Sequence, residues 1–151
     1  MGFDQLKLSN QLCFPIYATS RLITREYQPY LDELGITYPQ YLVLMVLWET
    51  DGITVHEISN KLILNTNTIT PLLKRMETQG IIDRHRSDSD ERKVIVALTT
   101  KGKLMQVEAA SIPERMATGI VSSTMKIEDL VELKNKLESI IHTLTKKNRL
   151  E

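Results

Sequence analysis

One segment, residues 53–98, restricts the fold of this 151-residue chain more than any other. It opens with the sequence TVHE, in which Thr54 and Glu57 have the spacing of a capping box. In that arrangement each side chain bonds a free backbone N–H at the start of a helix. The pattern predicts a short helix over 55–62.

A second helix and two strands follow in the same segment. The apolar spacing predicts a helix over 66–79, with Gly80 just after its end. Two β-prone runs, 81–86 and 93–98, are separated by the polar sequence SDSDER. Helix, turn, helix and a hairpin with a charged loop are typical of a winged helix-turn-helix, which reads double-stranded DNA.

The chain before this segment is predicted to be helical. Residues 8–34 have apolar side chains at helical spacing, with Ser9 as a possible cap. Pro15 belongs near the first turn, and Pro29 predicts a break near 27–28 because proline lacks a backbone donor. Gly35 should end the helix. A capping box at 37–40 then opens a helix with the sequence YLVLMVLWE, apolar on nearly all sides and therefore expected at the buried centre of the domain.

The chain after the segment is also predicted to be helical. Thr99 or Thr100 should cap a helix over 101–118, and a final helix should cover 127–147. The final helix carries one apolar stripe: Leu130, Leu133, Leu137, Ile140, Ile141 and Leu144. Terminal helices of this kind suggest a subunit interface in a chain too small for a larger core.

These patterns together predict a fold that is mainly α with a small β-hairpin wing. We expect one domain over 1–151, with the winged helix-turn-helix at 37–100. Residues 1–36 and 101–151 should form the helices through which two copies dimerise.

Composition limits the classes of function. Nineteen basic and 19 acidic residues give no net charge, so bulk charge does not favour nucleic acid. Residues 61–93 hold seven basic and five acidic side chains, a mild local excess. No signal peptide or long apolar run is present, and the single cysteine fits a reducing compartment, so we expect a cytoplasmic protein. The three histidines lack metal-ligand spacing, and we expect neither a metal site nor a cofactor.

The start of the second helix, NTNTITP, predicts the DNA-reading residues. Its hydroxyl and amide groups suit base edges and phosphates, and Lys74 and Arg75 follow on the next turn. In the wing, Arg92 suits a narrow minor groove. The wing acids Asp88, Asp90 and Glu91 would hold Arg84, Arg86 or Arg92 in position. A polar helix start on any surface and a solvated charged turn remain the alternatives.

Cys13 is the candidate reactive residue. It lies early in the first helix, where the helix dipole favours a thiolate, and Tyr17 lies four residues on, on the same face. A thiolate attacks a peroxide oxygen and becomes a sulfenic acid. The alternative is a buried cysteine that only packs.

The motifs TVHEISNKL, TITPLLKRMETQGII and SDSDERKVIVALTTKG resemble those of the MarR family of dimeric bacterial transcriptional regulators. The amino-terminal segment, beginning LSNQLCFPIYATS, is similar to the OhrR branch, whose members sense organic hydroperoxides. The resemblance covers almost the whole chain. It implies a winged-helix homodimer that represses transcription at a pseudo-palindromic operator.

The resemblance also assigns residues. It implies Cys13 as the peroxide sensor, held by Tyr17 and by Tyr27 and Tyr38, the last two contributed across the dimer interface. It implies DNA contacts by Asn65, Thr66, Asn67, Thr68, Thr70, Pro71, Lys74, Arg75, Arg84, Arg86, Asp90 and Arg92. Two features depart from the branch: NTNTITP replaces a DSGTLTP-like run, and Pro15 replaces an ordinary apolar residue beside Cys13.

Three other functions stay open on sequence grounds. One is a regulator released by a small aromatic ligand, and another is a broader thiol-based regulator. A thiol peroxidase would use Cys13 catalytically, although we expect no enzyme. With one cysteine, a low-molecular-weight thiol or overoxidation would have to complete a redox switch.

Overall fold

The computed structural model describes residues 3–122 and 125–148. The chain divides into two compact units, one up to Ala110 and one from Ser111 onward. The first unit holds residues 53–98, the segment predicted to be the helix-turn-helix and its wing.

Helix α1, Cys13–Glu33, follows two short 3-10 turns at Asp4–Leu6 and Leu8–Asn10. It therefore begins five residues later than predicted. Pro15 lies in its first turn, where a backbone N–H has no helical partner to lose. The predicted break before Pro29 is wrong, because α1 continues through that residue to Glu33.

The far end of α1 is fixed by packing and by a cap, which explains why the helix tolerates Pro29. Gly35 has φ +67°, and the N–H of Ile36 donates to the carbonyl of Leu31 at 3.0 Å. Leu31 and Ile36 are both buried, which is the apolar contact that accompanies this type of helix end.

Helix α2, Tyr38–Glu49, forms the centre of the first unit, as predicted. The side chain of Gln40 accepts the backbone N–H of Thr37 at 2.9 Å, which confirms the capping box. The helix contacts α1 and the three helices that follow it. Its buried residues are Gln40, Tyr41, Val43, Leu44, Val46 and Leu47.

Helices α3, Val55–Leu62, and α4, Thr66–Thr78, confirm the predicted helix-turn-helix. Gly80, at φ +68°, follows α4 as expected. Ile63, at φ 55°, follows α3 and is the non-glycine residue with positive φ among the described residues. A left-handed conformation costs an L-residue about 1–2 kcal/mol, and a β-branched side chain is rarely found there.

A three-stranded antiparallel sheet completes the reading segment. Strands β2, Ile82–Arg86, and β3, Val94–Leu98, form the predicted hairpin. A third strand, β1, Ile53–Thr54, was not predicted and pairs with the other edge of β3. Ile82 and Val96 are buried, so the base of the hairpin belongs to the core.

Helix α5, Thr100–Ala109, begins at Thr99, whose hydroxyl accepts the N–H of Gly102 at 3.1 Å. The indole N–H of Trp48, on α2, donates to the Gly102 carbonyl at 3.0 Å. A Cβ at Gly102 would overlap the carbonyl oxygen of Ile81. Residue 102 therefore has to be small for α5 to approach the start of the hairpin.

The second unit contains α6, Ile112–Ile120, and α7, Ile127–Asn148. The prediction of one helix over 101–118 is wrong, because α5 ends at Ala109 and α6 begins at Ile112. Pro113 has no N–H to donate to the Ala109 carbonyl, so one helix cannot continue there without losing a bond. The final helix is confirmed, and of its predicted apolar stripe Leu133, Ile140, Ile141 and Leu144 are at least 40% exposed, whereas Leu130 and Leu137 are half-buried. Ile127 and Val131, outside that stripe, are exposed as well. None of the helices within the described residues is apolar over a length that could cross a membrane.

Candidate nucleic-acid interface and redox site

The amino-terminal turn of α4 presents most of the predicted reading residues. Asn65 is the N-cap, and its side-chain oxygen accepts both the N–H and the hydroxyl of Thr68, each at 3.0 Å. That oxygen therefore caps the helix. Thr66 and Asn67 are exposed on the same turn, and Thr70 is half-buried.

The rest of α4 has a buried face and an exposed face. Ile69, Leu72, Leu73 and Met76 are buried. Pro71, Lys74 and Arg75 are exposed. The helix is therefore anchored by its apolar side while its polar start and its two cations face outward.

A groove of about 770 Å³ lies between α4, the start of α3 and the wing. It brings Thr66 and Thr70 together with Arg84 and Arg92, four residues that the sequence analysis assigned to DNA. The groove is also lined by residues that the sequence analysis did not assign, among them Thr54, His56, Glu57, Ser87, Ser89 and Lys93. Pairing of β1 with β3 places the start of α3 beside the wing. The sequence did not assign these groove residues because it did not predict this strand pairing.

Arg92 lies at the tip of the wing with its side chain 91% exposed. Its Nε donates to the Asp90 carboxylate at 3.1 Å, and its backbone N–H donates to the same oxygen at 3.2 Å. These two bonds, with a smaller contribution from Lys93, hold the pKa of Asp90 below its usual value. Asp90 thus orients an exposed guanidinium, which is one of the roles predicted for the wing acids.

Arg84 has a different partner from the one predicted. Its Nε and Nη2 both donate to one carboxylate oxygen of Glu77, on α4, at 3.0 and 2.6 Å. The Arg84 side chain is only 18% exposed. Arg86 donates to the main-chain carbonyl of Glu91 at 3.3 Å. Arg84 therefore links β2 to α4 and also lines the groove.

Glu57 is the carboxylate among the groove residues at the start of α3. It accepts the backbone N–H and the hydroxyl of Thr54 at 2.8 and 2.7 Å. Bonds from Thr54 lower its pKa most, and Lys93 and His56 lower it further. Glu57 therefore stays charged and serves the helix cap.

Cys13 is exposed and is the first residue of α1. Tyr17, one turn on, is also exposed, and its hydroxyl accepts an N–H of Arg21 at 3.0 Å. The Arg21 guanidinium carbon lies 5.5 Å from the centre of the Tyr17 ring. Cys13 is therefore not a buried packing residue within the single chain. The sequence did not predict the contact of Arg21 with Tyr17, because i,i+4 spacing alone is common on helices.

Tyr27 and Tyr38 form an aromatic cluster with Tyr41, a residue the sequence analysis did not assign. The ring centres of Tyr27 and Tyr38 are 5.0 Å apart, and Tyr41 lies 5.8 and 6.3 Å from them. Burial raises the pKa of all three phenols, and their proximity to one another raises the pKa of Tyr27 and Tyr41 further. They therefore stay protonated and can act as hydrogen-bond donors near neutral pH.

The tyrosine cluster is far from Cys13 of the same chain. Tyr27 follows Cys13 by 14 positions along one continuous helix, a rise of about 21 Å. Tyr17 lies on the same helix face as Cys13, whereas Tyr27 and Tyr38 do not reach its sulfur within one chain. Across residues 3–122 and 125–148, no cluster of three or more potential metal ligands occurs.

Comparison with known proteins gives one family match. The family described as transcriptional regulator SarA/Rot matches residues 25–107, which include α2 to α4 and the whole sheet. The organic hydroperoxide resistance transcriptional regulator of Bacillus subtilis (strain 168) is 49% identical over 146 residues, which cover 97% of both chains.

Two solved structures of the regulator AbfR, which is known from Staphylococcus epidermidis, have the same fold. Reduced AbfR bound to DNA aligns with a TM-score of 0.78 at 38% identity and covers all of both chains. Overoxidized AbfR bound to DNA aligns with a TM-score of 0.72 at 38% identity and covers 93% of this chain and 97% of AbfR. The predicted fold class, mainly helical with a winged helix-turn-helix, is confirmed.

Proposed function

Because this chain belongs to the SarA/Rot family of transcriptional regulators, we propose that it is a DNA-binding repressor that senses organic hydroperoxides. Oxidation of Cys13 releases the repressor from its operator. Such a protein works in the cytoplasm, where it meets the chromosome.

The reading step is assigned to α4 and the wing. Exposed Thr66, Asn67, Lys74 and Arg75 enter the major groove, and Arg92, oriented by Asp90, enters the adjacent minor groove. The groove between them follows the sugar–phosphate backbone. With no net charge, one copy has little non-specific attraction for DNA, so affinity depends on two copies bound together.

The protein is proposed to act as a homodimer. In the first unit, apolar side chains around the start of α1 are exposed, and they include Phe3, Leu6, Leu8, Leu12, Phe14 and Ile16. In the second unit, the stripe on α7 is exposed as well. Exposed apolar surface of this kind marks an interaction site. A dimer with a pseudo-palindromic operator places its two reading helices about 34 Å apart.

The observation that carries the sensing step is the position of Cys13, exposed in the first turn of α1. The thiolate sulfur attacks one oxygen of the hydroperoxide, so that an S–O bond forms and the O–O bond breaks. The other oxygen leaves as an alkoxide and takes a proton to become an alcohol. Cys13 is oxidised by two electrons to a sulfenic acid, and the peroxide is reduced.

The tyrosines that face this cysteine are proposed to come from both copies. Tyr17 of the same chain lies one turn away, whereas Tyr27 and Tyr38 are too distant within one chain. In a dimer that crosses at α1, the partner's Tyr27 and the partner's Tyr38 donate hydrogen bonds to the sulfur. The two phenols stay protonated because their pKa values are raised.

A low-molecular-weight thiol completes the switch, because the chain has a single cysteine. The small thiol attacks the sulfenic sulfur, water leaves, and a mixed disulfide remains. The added bulk beside the dimer interface changes the distance between the winged helix-turn-helix units of the two copies. Further oxidation to the sulfinic acid places a charge at the same position and is not reversed by thiols.

The deciding experiment is a gel shift with an operator duplex selected from random sequence by the reduced protein. Cumene hydroperoxide should release wild-type protein, and added thiol reductant should restore binding. Cys13→Ser, the matched isosteric variant, should bind the duplex normally and stay bound in peroxide. Release of Cys13→Ser by peroxide would show that the cysteine is not the sensor.

A turnover assay separates a sensor from a thiol peroxidase. With excess cumene hydroperoxide and a thiol reductant, we expect DNA release after about one peroxide per subunit and only slow consumption afterwards, because the mixed disulfide must be reduced before Cys13 can react again. Fast, sustained consumption that requires Cys13 would make the protein a peroxidase. Sedimentation of the reduced protein should give a dimer, and a monomer at working concentration would contradict the architecture.

A further inference from the structure

Ile63 is an exception among the described residues that have positive φ. The other three, at Gly35, Gly52 and Gly80, are glycines, which adopt this conformation without cost. Ile63 is β-branched, has φ 55°, and is 58% exposed. Both its backbone conformation and its exposure oppose folding stability.

The surroundings of Ile63 explain how the turn is held but not why isoleucine occupies it. The N–H groups of Ile63 and Leu64 donate to the carbonyls of Asn60 and Ser59 at 3.3 and 3.0 Å. The buried hydroxyl of Ser59 donates to the Leu64 carbonyl. All these bonds use the backbone of the turn, and a glycine or asparagine at position 63 would keep them. Strain of this kind is found where a side chain serves function.

Ile63 lies directly beside the surface assigned to DNA. The reading helix begins at Thr66, three residues later, so the Ile63 Cα is at most about 10 Å from the start of that helix. When the amino end of α4 lies in the major groove, a residue at this distance reaches the rim of the groove. Deoxyribose carbons line the rim, and where thymine occurs its methyl group projects from the base edge into the groove beside the rim.

We propose that Ile63 makes an apolar contact with the DNA at the rim of the major groove, against a deoxyribose or a thymine methyl. This proposal rests on the proposed function, because it requires α4 to be the reading helix. The contact is sequence-tolerant against deoxyribose and selects thymine against its methyl group. The left-handed conformation of Ile63 lowers the stability of the free protein, and the apolar contact raises the affinity for the operator.

Ile63→Asn and Ile63→Gly test the contact, because both residues suit a positive φ and neither carries an apolar side chain that could make it. With the selected operator duplex, each should weaken binding roughly three- to tenfold, the effect of leaving a few tens of Å² of apolar surface uncovered. The urea midpoint of unfolding should not fall for either variant. Ile63→Leu keeps the apolar contact and should bind like the wild type.

The salt dependence of binding identifies the type of contact. Lys74→Ala, as a control, should reduce the slope of log affinity against log salt by about one, whereas the Ile63 variants should leave it unchanged. Unchanged affinity in both Ile63→Asn and Ile63→Gly would overturn the proposal. A change in dimer association with unaltered affinity per dimer would also overturn it, since Ile63 would then face a second copy. Failure of the wild type to select any duplex would instead overturn the proposed function.

Discussion

The ion pair between Glu77 and Arg84 offers a measurable test of how the wing is attached to the reading helix. Two guanidinium nitrogens share one carboxylate oxygen at 3.0 and 2.6 Å, and the Arg84 and Glu77 side chains are 18% and 37% exposed. Opposite charges about 4 Å apart attract by about 4 kcal/mol at an effective dielectric constant of ~20. Loss of hydration and solvent screening reduce this, so we expect a net coupling of about 1–2 kcal/mol.

A double-mutant cycle measures that coupling. Glu77→Gln and Arg84→Met keep most of the side-chain volume and remove the charges. In urea unfolding, the two single changes should together cost about 1–2 kcal/mol more than the double variant. A coupling below about 0.5 kcal/mol would mean that the pair does not hold β2 against α4.

The same variants separate the two roles of Arg84 on the operator. If Arg84 positions the wing, Glu77→Gln should weaken binding as much as Arg84→Met, and neither should change the salt slope. If Arg84 bonds a phosphate, Arg84→Met should lower the slope by about one, and Glu77→Gln should preserve or strengthen binding. The second outcome would refute the positioning role and support the direct contact inferred from sequence.

Three further outcomes are expected. Gly102→Ala should destabilise the protein by about 1–3 kcal/mol in urea, because its Cβ overlaps the Ile81 carbonyl; wild-type stability would show that α5 moves freely. The pKa of Glu57 is lowered from 4.5 by bonds from Thr54, so its stabilising effect is complete well above pH 4.5 and is lost as pH falls through the lowered value. Glu57→Gln should therefore flatten the loss of stability on acidification, and an unchanged acid titration would contradict this. Arg92→Ala should weaken operator binding by ~1–3 kcal/mol, and unchanged affinity would remove the wing tip from the interface.

The sequence predicts the helices and the hairpin well because their signals are local. The capping pairs Thr37–Gln40 and Thr54–Glu57 mark two helix starts, and Gly35 and Gly80 mark two ends. Strand β1 was missed because two residues carry no periodicity, and only pairing with β3 makes them a strand. The break at Pro29 was predicted from a local rule that tertiary packing around Leu31 overrides.

In the candidate site, too, the sequence predicts the features that depend on local helical spacing and not those that depend on tertiary contacts. Exposure of Thr66, Asn67, Lys74 and Arg75 follows from helical spacing, and the sequence predicts it. Partners that depend on tertiary contact, such as Glu77 for Arg84 and Tyr41 for Tyr27, carry no sequence signal. Asn65 was assigned to DNA, yet its amide oxygen caps α4, because the same polar residues favour both roles.

The contact between Trp48 and Gly102 has an optical consequence. Trp48 is the single tryptophan of the chain, and its indole N–H donates to the Gly102 carbonyl in the first turn of α5. Its ring packs edge-to-face with that of Tyr41, and the two ring centres are 6.1 Å apart. Tyr41 in turn touches Tyr27 and Tyr38. The fluorophore therefore lies between the phenols assigned to sensing and the helix that leads out of the wing. Its emission wavelength and lifetime report, without a label, whether α5 keeps its place on α2 while Cys13 is oxidised.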